Sequence, residues 1–174
     1  MDWNIELFYF IHNGLKNPFF DMVMPPLTDM GGFLSLLLIC ILAILIFRYL
    51  KKDEYLEIAK KCLYALIIAG IIAGALKLIV HHPRPYVVLD NVRQLVIPSE
   101  PNSFPSGHTA STLSIVTVLV ATLRKNKVIV CLLVLFGFLI GFSRVYAGVH
   151  YPMDVVVGAV VGILSGVLVL KLKI

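Results

Sequence analysis

Apolar residues in this chain fall in long blocks separated by short polar stretches. Five blocks, at about 31–50, 61–80, 106–123, 128–147 and 153–170, are nearly free of charge. Each is close to the ~20 residues an α-helix needs to cross a bilayer core. Those whose charge-free centres are nearer ~15 residues can be completed by snorkelling lysines or a thinned bilayer. The pattern predicts an all-α fold, a multi-pass transmembrane helical bundle of about five spans, in one domain covering residues 1–174. Gly70 and Gly74 form a small-xxx-small face in the second block, which lets another helix approach closely.

The first thirty residues follow a different pattern. Trp3, Leu7, Phe8, Ile11 and Leu15 recur at helical spacing, with Asp2, Asn4, Glu6, His12 and Asn13 between them. This stretch is too short and too polar to span. It predicts an interfacial amphipathic helix or, equally, a segment packed on the bundle. Asn13-Gly14 breaks it. Asn17-Pro18 then starts a second short helix, which Pro25-Pro26 ends. No chemistry is assigned to residues 1–30.

Composition sharpens the membrane reading. The chain is 59% hydrophobic and 14% charged, where a soluble domain averages about 25% charged. The net charge of +5 does not indicate nucleic acid, because the basic residues cluster at the ends of apolar blocks rather than along one face. Cys40, Cys62 and Cys131 lie in or beside these blocks without metal-ligand spacing, so they read as packing residues with no disulfide. No basic region precedes an early apolar stretch, since the first basic residue is Lys16, and insertion is expected to rely on the internal spans.

With five spans the loops alternate sides. One side carries Arg48, Lys51, Lys52, Lys60, Lys61, Arg124, Lys125, Lys127, Lys171 and Lys173. The other carries Lys16, Lys77, Arg84, Arg93 and Arg144. The positive-inside rule makes the richer side cytoplasmic. The loop at 81–104, long for a compact bundle and expected to be extended because it holds Pro83, Pro85, Pro98 and Pro101, then shares the outer side with residues 143–154.

Three clusters of candidate chemistry converge there. Lys77 and Arg84 are two cations at the membrane mouth, suited to a phosphate as a point charge and a bidentate fork, although Lys77 alone reads more simply as a snorkelling lysine. Pro105-Ser106-Gly107-His108 opens the third block, where a helix start offers free backbone N–H groups to an anion and His108 is placed to donate a proton. In Ser143–Asp154, Arg144 precedes His150, and Asp154 falls in the first turn after Pro152. An aspartate there complements the helix dipole. It can also hold one ring nitrogen of His150 and leave the other free as a nucleophile.

Together, in this order, KLIVHHPRP (77–85), PSGH (105–108) and SRVYAGVHYPMD (143–154) resemble the signature KxxxxxxRP, PSGH, SRxxxxxHxxxD of the type 2 phosphatidic acid phosphatase superfamily, with no substitution at a signature position. The resemblance implies that His150 forms a phosphohistidine, oriented by Asp154, and that His108 protonates the leaving group. It assigns Lys77, Arg84, Ser106, Gly107 and Arg144 to the phosphoryl oxygens. No metal or other cofactor is implied. A zinc site from His81, His82, His108, His150 and Asp154 is a remote alternative, and His81 and His82 otherwise read as loop residues near the headgroups.

The expected function is a membrane lipid phosphatase with its site facing the extracytoplasmic side, similar to undecaprenyl-diphosphate phosphatases. Phosphatidylglycerophosphate or phosphatidate is the alternative substrate, and a lipid phosphotransferase the alternative reaction. A non-enzymatic transporter or scaffold is a remote third, since orientation needs none of the histidines. The partners implied are the bilayer and a lipid phosphate, not nucleic acid.

Overall fold

The computed structural model describes residues 2–172, and all of its regular structure is helical. In chain order the helices are α1 (Trp3–Tyr9), α2 (Pro18–Met30), α3 (Phe33–Tyr49), α4 (Asp53–Val80), α5 (Pro85–Val88), α6 (Gly107–Thr122), α7 (Lys127–Tyr146) and α8 (Pro152–Lys171), with a π-helical turn at Phe10–Gly14. By length and composition α4, α7 and α8 can each cross a membrane, and α2 with α3, bent by 54° at their junction, forms a further candidate span. Leu34, Ile71, Leu132, Phe138 and Leu164 stand exposed on the outer faces of α3, α4, α7 and α8, as lipid-facing residues do.

α6 is the hub. At 16 residues it is only about 24 Å long, and it is packed against α3, α4, α7 and α8. Its inward hydroxyls find partners along the helix. Ser114 donates to the Ser111 carbonyl at 2.8 Å and Thr117 to that of Leu113 at 2.7 Å. Against it runs α8, whose Gly158, Gly162 and Gly166 recur every fourth residue and so share one face. A Cβ at Gly158 would collide with the Ser106 carbonyl oxygen, and one at Gly162 with that of Ala110. This glycine seam lets the two backbones touch, and it is the close-approach face of the bundle. We expect Gly162→Ala to cost about 1–3 kcal/mol of stability through overpacking. Thermal unfolding in detergent measures this, and an unchanged midpoint would count against the seam.

Several boundaries differ from the sequence pattern. α4 begins eight residues before the apolar block at 61, because Asp53 and Glu54 favour its positive N-terminal end and Lys60 pairs with Glu57 at 2.7 Å. α2 does not stop at Pro25-Pro26 but continues to Met30. Each proline removes one intrahelical donor, yet Met24 and Thr28 are buried and hold the helix on both sides of the pair. Loop 81–104 is folded rather than extended: α5 lies within it, and Pro83 bridges to Asn102 so that its two ends meet. Cys40 and Cys62 are buried in the core formed by α3, α4, α6 and α8, while Cys131 is exposed. All three are free thiols.

The N-terminal segment is clamped to the bundle. Of the expected apolar stripe only Phe8 is buried, and Trp3 and Leu7 are exposed. The anchor is instead His12, read from the sequence as a polar-face residue but fully buried. Its Nδ1 lies 2.7 Å from the Tyr146 carbonyl, and its Nε2 accepts from the Arg93 amide at 2.9 Å. A neutral ring with its proton on Nδ1 satisfies both contacts. Burial lowers the His12 pKa in the same direction. Arg93 pairs with Asp21 at 2.8 Å, and the Tyr146 hydroxyl donates to Asp21 at 2.6 Å. The clamp ties α1, α2 and loop 81–104 to the end of α7. A buried histidine cannot be told from a solvated one by spacing alone.

Candidate active site

At the end of the bundle opposite the turns at 50–52 and 123–126, the ends of α2, α4, α6 and α7 and the folded loop surround a cavity of about 140 Å³. Six of the eight residues singled out from the sequence line it: Lys77, Arg84, Gly107, His108, Arg144 and His150. The other two, Ser106 and Asp154, stand one layer behind, fully or almost fully buried.

His150 sits on the turn between α7 and α8. Its Nδ1 faces Asp154 Oδ2 at 3.3 Å, and the same oxygen accepts from the Tyr151 amide at 2.9 Å. Asp154 is the third residue of α8, after Tyr151 as cap and Pro152 as first turn, so the helix start itself aims the carboxylate at the ring. An Nδ1 proton donated to Asp154 leaves Nε2 with its lone pair, which accepts from Arg84 Nη1 at 3.2 Å. Burial, reinforced by Arg144, Arg84 and Lys77, holds the ring pKa well below its ordinary 6.5. A neutral imidazole with its proton on Nδ1 satisfies both contacts and turns its free nitrogen toward the cations.

Those cations are held mainly by carbonyl and hydroxyl groups. Arg84 donates from Nε to the Glu100 carbonyl and from Nη1 to the Val149 carbonyl, both at 2.9 Å. Arg144 donates from Nη1 to Thr28 Oγ1 at 3.0 Å, and its buried Nε has no partner among the described residues. Lys77 does not snorkel: it is 5% exposed and donates to the Asn102 carbonyl at 2.8 Å, while Asn102 donates back to the Lys77 carbonyl at 3.1 Å. Among the described residues neither Arg84 nor Arg144 has a carboxylate in direct contact, so an entering phosphate meets two arginines without ion-pair partners beside Lys77. Two carboxylates share the cavity wall with these cations: half-exposed Glu100, 3.6 Å from Lys77, and Asp29 at the end of α2.

Ser106 caps α6. Its Oγ accepts from the Thr109 amide and lies 2.9 Å from Thr109 Oγ1, and its own amide donates to the Asp154 carbonyl. The cap locks the start of α6 to the start of α8 and presents Gly107 and His108 to the cavity. His108 Nε2 lies against Gly32 at the α2–α3 junction.

Thr28, Glu100 and Asn102 also belong to this site and were not visible as such in the sequence. Thr28 meets Arg144 across 116 positions, a separation no local pattern reports. His82 is partly buried, with Nδ1 2.9 Å from Ser103 Oγ and its ring edge-on to Tyr151. His81 is exposed, its Nδ1 3.3 Å from the Ile79 carbonyl. Among the described residues no three His, Cys, Asp or Glu side chains are grouped as metal ligands.

The chain is similar to known proteins over most of its length. The chain is 37% identical over 170 residues to the undecaprenyl-diphosphatase BcrC of Bacillus subtilis, covering 95% of this chain and 81% of the relative. Its fold superposes on the crystal structure of Aquifex aeolicus LpxE with a TM-score of 0.85, at 35% identity over 99% of this chain and 97% of that one. It also matches the PAP2-type phosphatidylglycerolphosphate phosphatase of Bacillus subtilis in fold, with a TM-score of 0.72 at 24% identity over 97% and 85% of the two chains. Residues 59–173, which hold every residue of the cavity named above except those on α2 and at the α2–α3 junction, match the PAP2 superfamily, and the chain is a membrane phosphatase of that superfamily.

Proposed function

We propose that the protein hydrolyses a polyprenyl diphosphate of the undecaprenyl type to the monophosphate and inorganic phosphate, through a phosphohistidine on His150, at the extracytoplasmic face. The observation that carries the mechanism is the His150 ring held between Asp154 and Arg84. The Nε2 lone pair attacks the terminal phosphorus, the N–P bond forms, and the bond from phosphorus to the bridging oxygen breaks. His108 gives its proton to the departing lipid monophosphate. Water then attacks the phosphohistidine, its proton passes to His108, and the N–P bond breaks to release phosphate. Arg84, Arg144, Lys77 and the Gly107 amide hold the phosphoryl oxygens, where preorganised donors act on charge that shifts in the transition state. Ser106 supports them by capping α6.

The substrate assignment is supported by the likeness to the undecaprenyl-diphosphatase BcrC over nearly the whole chain. The facing is supported by the charge pattern. The site lies at the end away from Arg48, Lys51, Lys52, Arg124, Lys125 and Lys127, which the positive-inside rule assigns to the cytoplasm; Lys173 lies outside the described residues. Exposed Trp3 and Phe10 suit an N-terminal segment resting at the outer interface.

Phosphate release by the purified protein tests the function, with undecaprenyl diphosphate, phosphatidylglycerophosphate and phosphatidate compared and no acceptor added. We expect the highest kcat/KM on the polyprenyl diphosphate. Preference for a glycerophospholipid would overturn the substrate, and transfer only when an acceptor is supplied would make the protein a phosphotransferase.

The pH dependence follows from His150. A ring whose pKa lies below 6.5 stays neutral, and able to attack, at pH values where a free imidazole is protonated. The acid limb of kcat/KM, which reports free-enzyme ionisation, is expected below pH 6.5 once substrate ionisation is corrected for. A limb at or above that value would contradict the assignment.

A further inference from the structure

The space around the phosphate site does not end at His108. A larger cavity of about 460 Å³ adjoins it, within the size range of ligand pockets. The two share Asp29, Lys77, Ser99, Glu100, Gly107 and His108 as walls. Away from these groups the larger cavity becomes a mainly apolar cleft between α3 and α4, bounded by Phe33, Leu34 and Ser35 on one side and Gly70, Ala73 and Gly74 on the other, with Ser111 of α6 also in its wall. Along α4 the lining descends from Lys77 to Gly74, about 4.5 Å, and to Gly70, about 10 Å. The flanking Leu34, Ile71 and Leu78 are 66–77% exposed, so the cleft opens toward the lipid side of the bundle.

The two glycines of α4 behave differently. A Cβ at Gly70 would meet the Phe33 ring at 2.6 Å, so that glycine is filled by packing. A Cβ at Gly74 would meet nothing within 4 Å. No neighbour requires a glycine there, and glycine inside a helix costs about 1 kcal/mol relative to alanine. Gly74 therefore does not serve the helix contact expected from the small-xxx-small spacing; what its missing side chain preserves is the open cleft.

We infer that this cleft holds the first part of the hydrocarbon chain of the substrate, and that Gly74 sets the bulk of chain admitted. The inference rests on the lipid-diphosphatase reading above. The occupant follows from continuity: a molecule whose phosphate lies among Lys77, Gly107 and His108 finds an apolar exit bounded by those same residues, leading to the lipid side of the bundle.

The test compares undecaprenyl diphosphate with isopentenyl diphosphate, which has the same head on one isoprene unit. Gly74→Leu is expected to lower the ratio of kcat/KM for the long substrate over the short one by at least about tenfold, as steric exclusion from an apolar pocket does. A second variant removes any dependence on folding. Gly74→Cys in a Cys131→Ser background, where Cys40 and Cys62 are buried, is purified and then alkylated with thiol reagents of increasing size. The ratio should fall as the adduct grows. If wild type cleaves the long substrate but the ratio stays constant in both variants, the cleft is filled by bulk lipid; the inference is then overturned while the phosphatase reading stands. A wild type inactive on the long substrate would overturn both.

Discussion

Glutamine in place of His150 is expected to reduce phosphate release by at least about 10³-fold, the scale on which losing a covalent nucleophile acts. The amide can still accept from Arg84 and stay near Asp154, so the surrounding contacts have a polar partner. It has no lone pair of comparable nucleophilicity with which to form a phospho-intermediate. The loss should appear in kcat. Substrate binding should persist, because Arg84, Arg144 and Lys77 keep the backbone carbonyl and hydroxyl partners that fix them. Initial rates together with direct binding to the inactive variant make the measurement. A fall of only a few-fold would mean that water attacks the phosphate directly and that His150 only positions it.

Asp154→Asn separates orientation from charge. One carboxylate oxygen accepts from both the Tyr151 amide and His150 Nδ1, and an asparagine can place its carbonyl oxygen at that point. The tautomer and ring position then survive. What is lost is the negative charge facing an imidazole that becomes cationic when Nε2 takes the phosphoryl group. Removing one such preorganised interaction costs about 10²–10³ in kcat, with KM little changed. Asp154→Ala loses the orientation as well and should fall further. Equal activity in Asp154→Asn and wild type would reduce the carboxylate to a helix-start residue complementing the dipole of α8, the simpler reading its position in the first turn also allows.

Much of this site was legible in the sequence because its chemistry is tied to helix starts and ends. Pro105-Ser106 and Pro152 mark where α6 and α8 begin, and Lys77 and Arg144 lie in the last turns of α4 and α7. Alternating helix directions then bring these points to one end. What stayed hidden depends on contacts across the chain. Thr28 supports Arg144 only because α2 continues past Pro25-Pro26, and its anchoring residues carry no local signal. His12 looks like one more polar residue of an amphipathic stripe, whereas its burial requires the carbonyl of Tyr146 and the amide of Arg93. Gly70 and Gly74 have the same spacing signature, and only the position of Phe33 distinguishes a packed glycine from an open one. The seam at Gly158, Gly162 and Gly166 was present in the sequence as a repeat of four, but hydropathy alone does not say which glycines face a neighbour.

The most direct test of the phosphohistidine mechanism is to trap the intermediate. The protein is mixed with polyprenyl diphosphate labelled at the terminal phosphate, quenched rapidly in alkali, where phosphohistidine survives, and mapped by mass spectrometry. The account predicts label on the peptide containing His150, discharged on acid treatment and absent in His150→Gln. Full turnover with no labelled protein at any quench time, or label on His108 instead, would contradict it.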